Sequence, residues 1–179
     1  DCTSLETIWI PPQVTSLSYS FSGCTSLNTV VLSWLNSDKW QITNTVSAFE
    51  ACTNLSGIYF PPERVVSVGT SMFKNSGIEE IERPEGITSI GAGAFQGCGN
   101  FRALYLPQSL TSVGNRAFAD CPELHWLDVP DTVAGFPNDA VENDTIELIT
   151  SQGKAAWNVA ISSDEDGITC SYRDPLLFI

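Results

Sequence analysis

Apolar residues recur along this chain in a pattern whose unit is about 22 to 28 residues long. Each unit opens with the spacing Leu-x-x-Leu-x-Leu. The pattern is seen at Leu5, Ile8, Ile10; Leu27, Val30, Leu32; Leu55, Ile58, Phe60; Phe101, Leu104, Leu106; and Leu124, Leu127, Val129. Because its last three residues alternate inward, outward and inward, they predict a short β-strand. A proline usually follows and ends the strand, since it has no N–H to donate.

A second apolar pair and a phenylalanine complete each unit. The pair, such as Ile87 and Ile90, has a spacing of three and predicts a tight turn or a short bent segment facing the same core. The phenylalanines are Phe21, Phe49, Phe73, Phe95 and Phe118, with steps of 28, 24, 22 and 23. Cysteine follows three residues later in four cases, and Ser76 takes its place after Phe73. We count six repeats between Cys2 and Asn143.

One such unit is too small to bury its own apolar side, whereas units stacked at the strand spacing of about 4.8 Å bury a continuous core. The pattern therefore predicts a solenoid with a parallel sheet of six or seven short strands. We expect repeats over residues 1–144 and a carboxyl-terminal cap over residues 145–179, with a helix near 153–162. The second repeat is longer than the others and contains an excursion with two tryptophans, Trp34 and Trp40.

Three phrases of the repeat carry a resemblance to a known family. They are Cys-Thr-Ser-Leu at Cys2–Leu5, Ile-Thr-Ser-Ile-Gly at Ile87–Gly91 and Ala-Phe-x-Gly-Cys at Ala94–Cys98. These phrases resemble the BspA-like class of leucine-rich repeat. The resemblance implies a right-handed α/β solenoid with short parallel strands on its concave face, turns and short helical segments elsewhere, and a capping helix and strand. The long second repeat, Ser76 and Arg83 depart from the family pattern.

The resemblance also implies a setting and a class of function. Members of this class are bacterial surface or secreted proteins, often discussed as adhesins that bind a host protein or a protein on a neighbouring cell. It implies no catalytic motif and no cofactor. We therefore expect an extracellular protein-interaction module rather than an enzyme. A structural spacer within a longer surface array is the alternative, and carbohydrate binding or hydrolysis is less favoured.

Charge and composition narrow the possible partners. The chain has 21 acidic and 8 basic residues, which gives a net charge of −13 and argues against nucleic acid and anionic membrane surfaces. No apolar run approaches the roughly 18 residues that a membrane span needs. The start Asp1-Cys2-Thr3-Ser4 has neither a basic nor an apolar region, so we expect any export signal to lie outside this sequence.

Candidate reactive groups favour a structural interpretation. Five of the six cysteines occupy one repeat position, which favours a column of free buried thiols, although disulfide pairing stays an alternative for an exported chain. A metal site is less favoured, because no two cysteines lie two to four residues apart and His125 is the only histidine. Four glutamates between 79 and 85 are clustered on one repeat rather than facing each other across a groove.

The outward side of the predicted sheet is the candidate binding surface. If Ile8 and Ile10 point inward, Thr7 and Trp9 point outward, because successive strand residues face opposite sides. Extension through the repeats gives two outward columns rich in aromatic and acidic residues. The predicted ligand-binding residues are Trp9, Tyr59, Glu80, Glu82, Tyr105, Trp126 and Asp128, and the alternative site is Trp34 with Trp40. Aromatic side chains on a strand are also favourable for packing alone.

Overall fold

The fold is taken from a computed structural model that describes residues 2–33, 41–61, 64–82, 85–141 and 147–150. For residues 82, 103 and 147–150 the description is limited to the backbone. The predicted capping helix, Arg83 and the excursion with Trp34 and Trp40 lie outside the described residues.

Seven short parallel strands follow the apolar pattern of the repeats. They are β1 Thr7–Ile10, β2 Thr29–Leu32, β3 Gly57–Tyr59, β5 Glu80–Glu82, β7 Ala103–Tyr105, β9 Trp126–Val129 and β10 Glu147–Thr150. Hydrogen bonds join them into three groups, β1 with β2, β3 with β5, and β7 with β9 and β10, and every pairing is parallel. This arrangement confirms the predicted parallel solenoid, but the seven strands lie in three hydrogen-bonded groups rather than in the one predicted sheet.

A second ladder runs along the segments that carry the second apolar pair. Its strands are β4 Ser67–Val68, β6 Ser89–Ile90 and β8 Ser112–Val113, again paired in parallel. Single bridges from Ser16 to Asn44 and from Ile42 to Val65 accompany it in the earlier turns. A tight turn closes on the first residue of the pair, as where the Leu110 N–H donates to the Pro107 carbonyl at 2.9 Å, and a two-residue strand then carries the second residue. A spacing of three reflects the short extended segment, which is hydrogen-bonded to the neighbouring turns and not to itself.

The phenylalanine segments form the third side of the solenoid, and they are not helical. Alternate backbone N–H groups, such as those of Ser47, Phe49 and Ala51, donate to carbonyls of the following turn. The residues two before and two after each phenylalanine have positive φ: Tyr19, Ser47, Ser71, Gly93 and Arg116 before it, and Gly23, Ala51, Asn75, Gly97 and Asp120 after it. The expectation of short helical segments is therefore wrong for the described part of the chain. Left-handed residues at every fourth position cannot continue a right-handed helix.

The core consists of columns of like side chains. The rings of Phe21, Phe49, Phe73, Phe95 and Phe118 stack in succession, with neighbouring centroids 5.6, 5.7, 5.5 and 5.4 Å apart. Apolar residues that precede the strands, for example Leu55 and Leu124, are fully buried and belong to the same core. Burial is continuous from turn to turn because each ring covers the face of the next.

The cysteines form a second buried column, as the repeat spacing predicts. Cys2, Cys24, Cys52, Cys98 and Cys121 are free, and all but Cys2 are buried. The Sγ atoms of Cys52, Cys98 and Cys121 donate to the carbonyls of Phe21, Phe73 and Phe95, one turn earlier, at 3.1, 3.0 and 3.1 Å. Burial raises the pKa of Cys52 and of Cys98 to about 11 and that of Cys121 to about 12. These thiols stay protonated at neutral pH and are poor nucleophiles.

One buried arginine links turns that are not neighbours in the stack. Arg64 is 7% exposed, and its Nη2 donates to the carbonyls of Pro11 and Val14, both at 3.1 Å. In the part of the chain that the structure describes, its Nε and Nη1 have no hydrogen-bond partner. Burial lowers the pKa of Arg64. A side chain of the third turn thus reaches the first turn across the long second repeat.

Candidate functional site

The outward positions of β1, β2, β3, β5, β7 and β9 form one surface, which we call the sheet face. Strand register aligns Thr7 with Thr29, Trp9 with Val31, Gly57 with Glu80, Tyr59 with Glu82, Ala103 with Trp126, and Tyr105 with Asp128. These pairs follow the two predicted columns. The residues between them, such as Ile58 and Leu127, are buried. The alternation of the strands therefore separates the core from a surface whose composition varies from turn to turn.

Two aromatic side chains meet on the sheet face where β7 and β9 pair. Tyr105 is 68% exposed, and its ring centroid lies 4.2 Å from that of Trp126 with an angle of 67° between the ring planes. Ala103 is the direct partner of Trp126, so the two rings meet on a diagonal of the ladder. The contact orients two large amphipathic rings while Tyr105 stays open to solvent.

Asp128 completes this cluster as the direct register partner of Tyr105. Its side chain is half-buried, and its pKa is raised by burial and, to a smaller extent, by the nearby charge of Asp131. A carboxylate in such a position is favoured by an approaching cation, which would offset both effects. We refer to Tyr105, Trp126 and Asp128 together as the aromatic–acidic cluster.

Tyr59 and Glu80 extend the sheet face on the neighbouring strands β3 and β5. Tyr59 is half-buried and Glu80 is exposed. The register partner of Glu80 is Gly57, and a Cβ at that glycine would lie 3.9 Å from Cγ of Glu80. Since β3 and β7 are two strand positions apart, Tyr59 lies roughly 10 Å from Tyr105. These residues and the aromatic–acidic cluster are close enough to contact one partner surface.

Trp9 stands apart from the other predicted residues. It is 62% exposed on β1, and its register partner Val31 is 44% exposed. Four strand positions separate β1 from β7, which corresponds to roughly 20 Å. The predicted residues thus fall into two regions of the sheet face: an aromatic–aliphatic region at Trp9 and an aromatic–acidic region that contains the other six. For Glu82, in the second region, only the backbone is described.

Sequence reasoning missed one large exposed aromatic residue. Tyr19 is 67% exposed and has a φ of 56° two residues before Phe21. The other turns have Ser47, Ser71, Gly93 and Arg116 there. A tyrosine at a position otherwise occupied by small or charged residues is the signal that could have identified it.

Groupings that would point to catalysis or membrane insertion are not found in the described ranges. Among those residues no group of three or more His, Cys, Asp or Glu side chains could hold a metal ion. His125 is exposed, and its backbone N–H donates to the Arg102 carbonyl at 3.0 Å. Among the described residues there is no helix that is long and apolar enough to cross a membrane.

The repeated unit seen in the sequence and in the structure can be compared with known repeat families. Six copies of the BspA type leucine rich repeat region match residues 1–38 and 41–147. The chain belongs to the BspA-type leucine-rich repeat family. No curated protein was found to match this BspA-type chain.

Solved structures of bacterial leucine-rich repeat proteins are similar to this BspA-type chain. A leucine-rich repeat protein from Bacteroides ovatus ATCC 8483 has 24% identity and a TM-score of 0.50, over 83% of this chain and 31% of its own. The leucine-rich repeat protein of T. pallidum has 27% identity and a TM-score of 0.43, over 72% and 47%. A leucine-rich cell surface protein from Faecalibacterium prausnitzii A2-165 has 18% identity and a TM-score of 0.34, over 84% and 61%.

These similarities concern the fold. The match covers 31% of the Bacteroides ovatus chain and 47% of the T. pallidum chain, so this chain spans less than half the length of either. Activities and partners of the longer proteins do not transfer with the fold alone.

Proposed function

We propose that this chain is a non-catalytic protein-interaction module of a bacterial surface or secreted protein. Its binding surface is the sheet face around Tyr59, Glu80, Tyr105, Trp126 and Asp128, together with Glu82. The single observation that carries the proposal is the exposed edge-to-face pair of Tyr105 and Trp126 beside a half-buried carboxylate. Aromatic side chains provide rigid contact area with few rotors to immobilise, which is what protein-binding surfaces use.

Charge favours a basic partner surface. The net charge is −13, and the carboxylates of Glu80 and Asp128 lie on the same face as the aromatic rings. Arginine or lysine side chains of a partner can stack on an exposed aromatic ring and pair with a neighbouring carboxylate. The partner is therefore a protein with a basic patch, on a host surface or on a neighbouring cell.

The experiment begins with capture of partners from host extracellular matrix and cell-surface proteins on the immobilised chain. Binding kinetics of a captured protein then separate the two kinds of contact. Acidic rim charges mainly accelerate encounter and are screened by salt, whereas buried anchors govern residence. We expect Glu80→Gln combined with Glu82→Gln to slow association and to weaken its salt dependence. Tyr105→Ala should mainly raise the dissociation rate.

Trp9→Ala is the matched control, because Trp9 is an exposed aromatic residue of the same sheet without a neighbouring described carboxylate in its strand pair. It should leave both rates unchanged.

The docking assignment is wrong if removal of residues 34–39 abolishes binding while the sheet-face variants bind normally. A structural spacer would retain every interaction after Tyr59→Ser and Tyr105→Ser. A hydrolase would show turnover that His125→Ala or the loss of an acidic pair removes.

The pH dependence of binding tests the part assigned to Asp128. The pKa of Asp128 is raised, so its negative charge is lost at a higher pH than that of an ordinary aspartate as the solution is acidified. Binding of a basic partner should therefore weaken in mildly acidic buffer. Asp128→Asn should weaken binding at neutral pH and reduce this dependence. Equal pH dependence in both proteins would remove Asp128 from the binding surface.

A further inference from the structure

A basic pair of residues borders the aromatic–acidic cluster at the edge of the sheet face. The residues directly before β1, β2, β3, β5, β7 and β9 form a further column along this edge, and all of them are exposed: Glu6, Asn28, Ser56, Glu79, Arg102 and His125. The two basic members, Arg102 and His125, precede β7 and β9, which are the strands that carry the cluster. We call Arg102 and His125 the basic pair.

The order of groups along β7 and β9 places opposite charges at the two ends of the aromatic pair. His125, Trp126 and Asp128 follow one another along β9, and Arg102 and Tyr105 along β7. The backbone N–H of His125 donates to the Arg102 carbonyl at 3.0 Å, so the two members of the basic pair are adjacent. His125 and Asp128 are three residues apart, which corresponds to roughly 10 Å between their Cα atoms. A ligand that lies along the rings therefore meets a basic end and an acidic end.

Arg102 supplies a positive charge that no described carboxylate neutralises. It forms no ion pair with the residues that the structure describes, whereas Arg116 is paired with Asp120 at 3.2 Å. Arginine stays charged at any pH that a protein meets, and it binds carboxylates through two parallel N–H groups. The imidazole of His125 has an N–H to donate in both of its protonation states. The basic pair is therefore suited to an anionic group, although the net charge of the chain is −13.

We propose that the cluster and the basic pair together bind the carboxyl-terminal lysine or arginine of a partner protein. The inference rests on the proposed function and specifies which part of a basic partner is recognised. The α-carboxylate pairs with Arg102 and His125, and the cationic head pairs with Asp128. The stem between them packs on the rings of Tyr105 and Trp126. The four-carbon stem of lysine separates its ammonium from its α-carboxylate by roughly 7 Å, and the long side chain of Arg102 covers the remaining distance.

A basic residue inside a partner chain would use only part of this site. Its side chain would contact the rings and Asp128, but its α-carboxyl group is a neutral amide. Such an amide offers Arg102 an acceptor without a charge. Since charge-assisted hydrogen bonds are about twice as strong as neutral ones, the free carboxylate of a chain end is the better ligand. The arrangement therefore favours a carboxyl-terminal basic residue over an internal one.

Two small probes isolate the contribution of the α-carboxylate. Nα-acetyl-lysine has a free carboxylate, whereas Nα-acetyl-lysine methylamide presents the same side chain as it occurs inside a protein. The indole N–H signal of Trp126 in proton–nitrogen correlation spectra reports binding, and Trp126→Phe assigns that signal. We expect Nα-acetyl-lysine to bind about 10-fold more tightly than the methylamide, because only the former makes charge-assisted hydrogen bonds to the basic pair.

Variants of the two charged ends test the assigned orientation of the ligand. Arg102→Gln should weaken binding of Nα-acetyl-lysine about 10-fold and leave the methylamide unchanged, so that the two probes bind nearly equally. His125→Gln should act in the same direction with a smaller effect. Asp128→Asn should weaken both probes. Arg116→Gln is the matched control, because it removes the same charge outside the sheet face, and it should preserve the difference between the probes.

Equal binding of the two probes to the original chain, or an unchanged Trp126 signal with both, would overturn the inference. A captured partner protein separates this failure from that of the proposed function. The partner is treated with a carboxypeptidase that removes terminal lysine and arginine, and loss of binding is the expected result. Retained binding that Tyr105→Ala still weakens would overturn the terminal-residue inference and leave the sheet-face role in place. Retained binding that Tyr105→Ala does not change would contradict both.

Discussion

The inward and outward columns of the solenoid are built on the same turns but differ in how uniform they are. Inside, one phenylalanine position is identical in five turns, with neighbouring ring centroids 5.6, 5.7, 5.5 and 5.4 Å apart. Outside, the column that begins at Trp9 continues with Val31, Tyr59, Glu82, Tyr105 and Asp128. Apolar, aromatic and acidic residues therefore follow one another at a single position of the sheet face.

The difference reflects which neighbours each column contacts. An inward ring packs against its own copy in the next turn, so a change in one turn leaves a void between two others. An outward side chain has solvent on one side and tolerates substitution more easily. Departures from the repeat are therefore more informative about function on the sheet face than in the core. Four predictions test this contrast or make it more quantitative.

Loss of a stacked phenylalanine should have the largest effect. Phe95 is fully buried between Phe73 and Phe118. Phe95→Ala should lower the free energy of unfolding by about 3–5 kcal/mol, because it removes the transfer energy of the ring and leaves a cavity. Urea unfolding followed by circular dichroism measures the change. A loss below about 1 kcal/mol would mean that the stack does not stabilise the solenoid.

Close backbone contact between turns should give the next largest effect. A Cβ added at Gly114 would lie 2.7 Å from the carbonyl carbon of Gly91 and would also meet the backbone N of Ala92. Gly114→Ala should therefore cost about 1–3 kcal/mol, since backbone of the preceding turn must move. Gly99→Ala is the matched control, because a Cβ there has no atom within 4 Å. Similar urea midpoints for the two variants would contradict the close approach.

A gain in stability is expected where the left-handed position after phenylalanine lacks glycine. Ala51 has a φ of 58°, and the equivalent residues Gly23 and Gly97 have φ values of 71° and 73°. A left-handed conformation costs an alanine roughly 1 kcal/mol relative to glycine, so Ala51→Gly should raise the free energy of unfolding by about that amount. Gly97→Ala is the reverse change and should lower it. The prediction is wrong if the two variants shift the urea midpoint in the same direction.

The repeat made the strands predictable, whereas its other two sides were harder to interpret. Ile58 and Phe60 are two residues apart, as in a strand with one buried face, and their burial follows from this period. The left-handed residues were only partly predictable: glycine, asparagine and aspartate adopt positive φ most readily, and they stand at Gly23, Gly97, Asn75 and Asp120, whereas Ala51 gives no such signal. Backbone ladders between turns enforce that conformation, so local propensity is overruled by contacts about 21 to 27 residues away.

The candidate site was predictable as a set of outward positions but not as a cluster. Alternation places Tyr105, Trp126 and Asp128 on one face. The diagonal ring contact and the half-buried state of Asp128 depend on side-chain directions, which a period of two does not specify. The sequence therefore predicted the surface, and the structure shows which of its residues are neighbours: Tyr105 contacts Trp126 and is aligned with Asp128.

The smallest expected effect concerns the stability that the exposed aromatic pair itself contributes. Tyr105 is 68% exposed, so Tyr105→Ala removes little buried area and should cost about 0.5–1 kcal/mol, mostly from the contact with Trp126. A double-mutant cycle with Trp126→Ala should give a coupling of about the same size. Trp9→Ala, at a comparably exposed site that stacks on no described aromatic ring, should change the urea midpoint less than Tyr105→Ala does. A coupling free energy near zero would mean that the contact between the two rings does not stabilise the protein. The orientation of Tyr105 would then have to be fixed by a bound partner.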